Sequence, residues 1–264
     1  RVNYNFSLQR AIEWANKLSK PLLIFEPMTI DYPMASIRFH KFAIEGMQDI
    51  QKQTEKSKAF YFPYVEEKRG VADKLLIELA KNAAVVITDD YPTYFVPQMT
   101  AEAKGSIQTT YELVDSNGLL PIRIAEKEYV RAHDFRRFMH KNIEDFLVEV
   151  PEKNPLEYIN LKFDKKILEP IFKKYELVDF NKVNTQDFLN NLNVDKSVEV
   201  SDVVGGYNAA KSRLDLFAKK GFNDYSKLRS HPSEDASSQL SPYFHFGHIS
   251  TYEVFEKIIS SESW

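Results

Sequence analysis

The sequence predicts an α/β protein: an open, doubly wound parallel sheet over about residues 1–130, then helical segments. Three observations carry that expectation. The short continuous apolar runs PLLIF (21–25), AFYF (59–62) and AVVIT (84–88) read as strands buried on both faces. Segments with helical periodicity alternate with them. From about Arg131 the character changes, and RAHDFRRFMHKNIEDFL mixes charges with apolar residues at helical spacing.

Each element can be justified in turn. In SLQRAIEWANKL (7–18), Leu8, Ala11, Ile12, Ala15 and Leu18 share a helical face, with Ser7 as the expected N-cap. The run 21–25 is the next strand, and Ile37 to Ile50 a second helix. Strand 59–62 follows, then the helix VADKLLIELAKN (71–82) and strand 84–88. Pro97 to Ala103 predicts a short helix and TTYELVD (109–115) a fourth strand. Asp89 and Asp90 end a strand where α/β proteins bind ligands, although a surface turn with Pro92 explains them more simply. The alternation opens on a helix, so a further strand is expected upstream of Arg1, with a gap in the sheet where it belongs.

Residues 131–204 read as a connector with helices. Pro151 and Pro155 interrupt it, and LEPIFKKY and TQDFLNNL are its helical pieces. Gly205-Gly206 opens a last unit, 205–264, that begins with a long amphipathic helix, YNAAKSRLDLFAKKG. Leu214, Phe217 and Ala218 share a face there, and Gly221 is the expected stop.

The totals narrow the function classes. The chain has 264 residues, 43% of them hydrophobic, which supports a sizeable core. Its 35 Lys+Arg and 38 Asp+Glu give a net charge of −3, so a nucleic-acid surface would have to be local. With no Cys, disulfides and Cys-ligated metals are excluded. No apolar run reaches membrane-spanning length, so a cytoplasmic protein is expected. Between Gly205 and His231 lie six basic residues (Lys211, Arg213, Lys219, Lys220, Lys227, Arg229) and two acidic ones (Asp215, Asp224), a local excess of four. Such a patch faces either phosphate or plain solvent.

The stretch SSQLSPYFHFGHIS (237–250) carries the chemistry. Ser241-Pro242 suits a helix start, with serine as N-cap and proline at the first helical position. Free N–H groups there, with the hydroxyls of Ser237, Ser238 and Ser241, would make an anion cradle suited to phosphate or pyrophosphate. The same serines could simply cap helices. Ser250 and Glu253 have capping-box spacing ahead of TYEVFEKII. His245 and His248 lack a third metal ligand, and His245 reads as a packed core residue. No G-x-G-x-x-G loop is present, and Trp14 and Trp264 are too few to assign an electron relay.

The segment GGYNAAKSRLDLFAKKGFNDYSKLRSHPSEDASSQLSPYFHFGHIS resembles the start of the FAD-binding domain of DNA photolyases and cryptochromes. Gly, the A…L..F helix, Tyr225, Arg229 and the S-S-x-L-S-P-Y-x-H-F-G-x-I-S run keep that family's order and gaps. The first part is similar to class II photolyases in RVNYNFSLQRA, IRFHKFAIEGM, VDSNGLLP and EYVRAHDFRRFMHKNI. It departs from them at Asn117-Gly118 and at Thr93-Tyr94. The resemblance implies FAD held by Tyr225, Ser237, Ser238, Gln239, Leu240 and Ser241, and Arg229 near a lesion in UV-damaged DNA. It also implies an antenna chromophore of deazaflavin or folate type in the N-terminal unit. A monomer that splits cyclobutane pyrimidine dimers with light is then expected, with the chain as a piece lacking most of its FAD-binding domain and the catalytic residues beyond Trp264. A cryptochrome-like photoreceptor is the alternative. A bare nucleotide-binding module would need only residues 1–130 and leaves 237–250 unexplained.

Overall fold

The computed structural model describes residues 1–260, so Trp264 lies outside the described residues. Helix α1 (Phe6–Lys17) leads into β1 (Leu23–Thr29). Then follow α2 (Ile37–Thr54), β2 (Phe60–Glu66), α3 (Val71–Ala80), β3 (Val85–Asp89), α4 (Val96–Ser106) and β4 (Thr110–Val114). The alternation is the expected one. The strands, however, form two parallel pairs, β1 with β2 and β3 with β4, rather than one continuous sheet. Among the described residues no strand bridges β1 and β3. The buried Arg1 guanidinium lies in the field of Asp89 on β3.

Strands β1 and β2 run beyond their apolar cores, through Pro27 and Pro63, for a geometric reason. Ile30 N–H donates to Glu66 O and Phe60 N–H to Leu22 O, so even-numbered residues of both strands face each other across the ladder. Pro27 and Pro63 belong to the outward set, where a missing N–H costs no ladder bond. The carbonyl of Pro63 instead accepts from Val178 N–H at 3.3 Å.

Three apolar clusters hold this unit together. Leu8, Ile12 and Ala15 of α1 pack with Leu22, Ile50 and Tyr61. Ile44 and Met47 of α2 meet Ile30 and Val65. Phe60 and Phe62 of β2 meet Leu75 and Leu79 of α3. Residues 155–192 feed all three clusters, through Ile159 in the first, Phe180, Leu189 and Leu192 in the second, and Leu168, Ile171 and Tyr175 in the third. They include the short helices α6 (Glu169–Phe172) and α7 (Thr185–Asn191). Helix α5 (Ala132–Phe146) buries no residue.

The α1 cap is Asn5, not Ser7. The Asn5 side chain accepts from Leu8 N–H at 3.0 Å, while Ser7 Oγ–H reaches Asp89 and the carbonyl of Val114. The C-terminal segment comprises α8 (Tyr207–Leu216), a π-helical turn (Phe217–Gly221), α9 (Phe222–Leu228), α10 (Ser241–His245) and α11 (Thr251–Ile259). Gly221 does not stop the helix. Its φ is −104°, and the wider turn carries the chain straight into α9, with the Phe217 ring edge-on to Phe222 and Tyr225.

Candidate functional site

The C-terminal segment docks on α2 through a joint of small and aromatic residues. Phe42 packs with Ala210, Leu214, Leu240, Tyr243 and Ile249. His248 stacks on Phe42 with ring centroids 4.7 Å apart, and its Nδ1 accepts from Gly206 N–H at 2.9 Å. That bond leaves the imidazole proton on Nε2. Burial pushes the His248 imidazole down to about 4. The chain comes this close because glycines line the joint: a Cβ on Gly205 would collide with the Phe42 backbone, and Gly206 sits at φ +92°. Tyr243 O–H donates to Val204 O at 2.8 Å, and Gly205 N–H to Glu45 at 2.7 Å. Ser250 caps α11 by accepting from Tyr252 N–H. Glu253 does not complete a capping box; it accepts from Tyr207 O–H at 2.8 Å.

This joint fixes the stretch 237–241 at its buried end, where Leu240 is 0% exposed. The outer end is held by Arg213 on α8. Its Nε donates to Ser238 O at 3.0 Å, and its terminal nitrogen to Ser237 O at 3.2 Å and Asp235 at 3.5 Å. Asp235 also accepts from the Gln239 side chain. Gln239 takes a left-handed φ of +53°, and Leu240 returns to right-handed geometry at φ −85°. Such an alternation turns successive N–H groups toward one side and makes an anion-accepting concavity. Leu240 N–H contacts Ser238 Oγ at 3.4 Å. Among the described residues, the N–H groups of Ser237, Ser238, Gln239 and Ser241 meet no protein acceptor. The carbonyls are engaged inward, and these donors are free. Ser241 is the first helical residue of α10 rather than its cap, which is Leu240.

Tyr225 is half-buried on α9, edge-on to Phe217 at 5.6 Å. The Arg229 guanidinium lies over the Tyr225 ring, 5.6 Å from its centroid, and is exposed. Lys219 and Lys220 sit in the π-helical turn, and Lys227 in the last turn of α9. Lys211 lies over Tyr207, one turn back on α8. His245 is exposed, so its reading as a core residue is corrected; His248 is the buried one. Among the described residues no group of three His, Asp or Glu could hold a metal ion. Asp90 pairs with Arg123 at 2.5 Å.

Sequence reasoning counted Arg213 only as one basic residue among six. Its clamp on two carbonyls has no linear signal, because the partners lie 24 and 25 residues away. In the sequence His248 is only one member of a two-histidine pair that lacks a third metal ligand. The signal that could have found it is the pairing of Gly205-Gly206 with Gly46, since glycines on two facing segments mark a close approach.

No family model matches the chain. The deoxyribodipyrimidine photo-lyase of Methanothermobacter thermautotrophicus is 28% identical over 251 residues, which cover 95% of this chain and 52% of that protein. The photo-lyase of the same name from Potorous tridactylus is 26% identical, over 98% of this chain and 46% of its own length. The chain therefore spans about half the length of the curated relatives it matches. Among solved structures, Synechocystis sp. PCC6803 cryptochrome superposes with a TM-score of 0.69 at 15% identity, over 100% of this chain and 54% of that one. An archaeal photolyase from Sulfolobus tokodaii, solved with two FAD molecules, superposes with a TM-score of 0.63 at 17% identity, over 97% and 52%. Homology and fold support one placement: the photolyase/cryptochrome superfamily. The α/β part is consistent with a photolyase-like N-terminal domain.

Proposed function

We propose that this chain belongs to a class II photolyase that repairs cyclobutane pyrimidine dimers in UV-damaged DNA, with residues 237–241 holding the pyrophosphate of FAD. The observation that carries the reading is the set of four free N–H groups at Ser237, Ser238, Gln239 and Ser241, backed by carbonyls that Arg213 has already engaged. The donor set suits a pyrophosphate in kind. Preoriented backbone donors and two serine hydroxyls can replace the water around its oxygens without a buried lysine. Bound there in its reduced form, FAD would supply the light-driven electron-transfer chemistry of dimer splitting.

The chain's own residues do the rest. Arg213 keeps the loop carbonyls turned away from the anion. Tyr225 offers a ring edge beside the cofactor, and Arg229, held over that ring, presents charge to the DNA backbone near the lesion. Lys211, Lys219, Lys220 and Lys227 add sequence-independent attraction for phosphate. We assign the α/β unit (1–130) to antenna binding, 131–204 to the connector and 205–264 to the start of the flavin domain, in a monomeric cytoplasmic protein.

The test uses the whole protein. Purified protein should carry flavin absorbance and restore thymine-dimer-containing oligonucleotides under blue light. Arg229→Ala should weaken binding to dimer-containing DNA while leaving flavin content unchanged. Flavin content without any repair would move the reading to a photoreceptor, and protein that carries no flavin would end both.

A further inference from the structure

At the end of the α/β unit opposite the strand C-termini, the loops that enter the strands bring nine exposed lysines to one rim. Lys20 precedes β1, and Lys56 and Lys58 precede β2. Lys17 and Lys52 close α1 and α2, and Lys81 caps α3. The segment 158–166 crosses the same rim. Asn160 N–H donates to Asn16 Oδ1 at 3.0 Å, and Phe163 N–H to Lys58 O at 2.9 Å. Lys165 lies over Phe60, the first residue of β2, and Lys162 and Lys166 flank it. In segments 17–22, 52–59, 81–84 and 158–166, only Glu55 and Asp164 are acidic, an excess of seven positive charges in a chain whose net charge is −3. None of the nine lysines makes an ion pair among the described residues.

Helix dipoles explain part of the rim and not the rest. Lysines at helix C-termini are favoured there, which covers Lys17, Lys52 and Lys81. Lys20, Lys56 and Lys58 lie in loops. Lys165 and Lys166 open a short 3-10 helix capped by Asp164, the end at which a dipole disfavours cations. Lys165 keeps its ring contact and Lys58 Nζ donates to Asn160 O at 3.3 Å, but neither contact nor a helix dipole neutralises the six charges of Lys20, Lys56, Lys58, Lys162, Lys165 and Lys166. We infer that this rim is a docking surface for the phosphate backbone of duplex DNA, read without sequence preference. The rim holds lysines and no arginine, so it offers point charges rather than the bidentate forks that read bases. Among the described residues no amphipathic helix lies along the rim, and its exposed apolar side chains, Leu18, Tyr158, Leu161 and Ile167, are spread over a helix end and an irregular segment rather than one helical face, which favours nucleic acid over a lipid surface. The inference stands on this surface alone and does not depend on the flavin reading.

Fluorescence anisotropy of the 264-residue chain with an undamaged duplex of about 20 base pairs, from about 50 to 200 mM salt, tests it. The rim variant joins Lys20→Gln, Lys56→Gln, Lys58→Gln, Lys162→Gln, Lys165→Gln and Lys166→Gln. An equal-charge control joins Lys68→Gln, Lys74→Gln, Lys104→Gln, Lys127→Gln, Lys141→Gln and Lys173→Gln. The rim variant should bind at least about ten-fold more weakly, with a log–log salt slope shallower by about two or more, and the control should stay within about three-fold of wild type. Equal losses in both variants would reduce the effect to bulk charge and overturn the inference. So would wild-type chain that shows no salt-dependent binding. Rim-dependent binding to phosphatidylserine vesicles without binding to duplex would also overturn it, and would assign the rim to a lipid surface.

Discussion

Gly46→Ala should destabilise the protein even though alanine is the better helix former. Gly46 lies in α2, and a Cβ there would stand 2.7 Å from Cδ2 and 3.0 Å from Cε1 of His248, with Nε2 closer still. His248 cannot swing away freely. It is 6% exposed, stacked on Phe42, and bonded to Gly206 N–H. Displacing it strands that buried N–H, at about 1–3 kcal/mol. Overpacking adds about 1–3 kcal/mol, and the helix propensity of alanine returns about 1 kcal/mol. The net loss should be about 1–5 kcal/mol, read as a lower urea midpoint at unchanged slope. Gly105→Ala is the matched control. A Cβ there meets nothing within 4 Å, so it should stabilise by up to about 1 kcal/mol. His248→Ala in the Gly46→Ala background should cost less than in wild type, with a coupling of about 1 kcal/mol or more. If Gly46→Ala matches or exceeds wild-type stability, the joint is not packed as described.

Three further outcomes follow from the same contacts. The His248 imidazole is held down to about 4 chiefly by burial, whereas the unfolded chain takes that proton near its ordinary value of 6.5. Its contribution is therefore complete above pH 6.5 and falls away as the pH drops toward 4, by about 3 kcal/mol. Burial pushes the Glu253 carboxyl up, which works the opposite way, so the quantity to measure is the stability difference between wild type and His248→Gln against pH; parallel curves would contradict the assignment. Arg213→Gln should speed proteolytic cleavage within 235–241 while leaving α2 intact, and an unchanged cleavage rate would show that the clamp does not order the loop. Asn5→Ala should lower stability by about 1 kcal/mol by removing the α1 cap, and an unchanged thermal midpoint would refute that role.

Much of the fold could be read from the chain because its signals are local. Alternating apolar runs and helical periods mark every strand and helix of the α/β part. Strand ends were less legible. Pro27 and Pro63 argue against strands in sequence, and only the ladder register shows that both face outward. The α1 cap is ambiguous in sequence because Ser7 and Asn5 are both good caps, and the choice is made by Asp89 and Val114 taking the serine hydroxyl. Gly221 looked like a stop, but the π-helical turn absorbs it, since Phe217 packs against Phe222 and Tyr225 across that turn. In the candidate site the serines and Tyr225 stand out in the sequence. Arg213 and His248 do not, because what distinguishes them is a partner far along the chain.

Residues 237–241 are proposed here to hold a pyrophosphate. The most direct measurement is flavin occupancy and FAD dissociation rate in the whole protein carrying Ser237→Ala with Ser241→Ala. Each lost hydroxyl should cost about 1 kcal/mol, up to about 3 kcal/mol for a bond to charged oxygen, so retention should weaken about ten-fold or more. Wild-type occupancy with an unchanged dissociation rate would contradict the account.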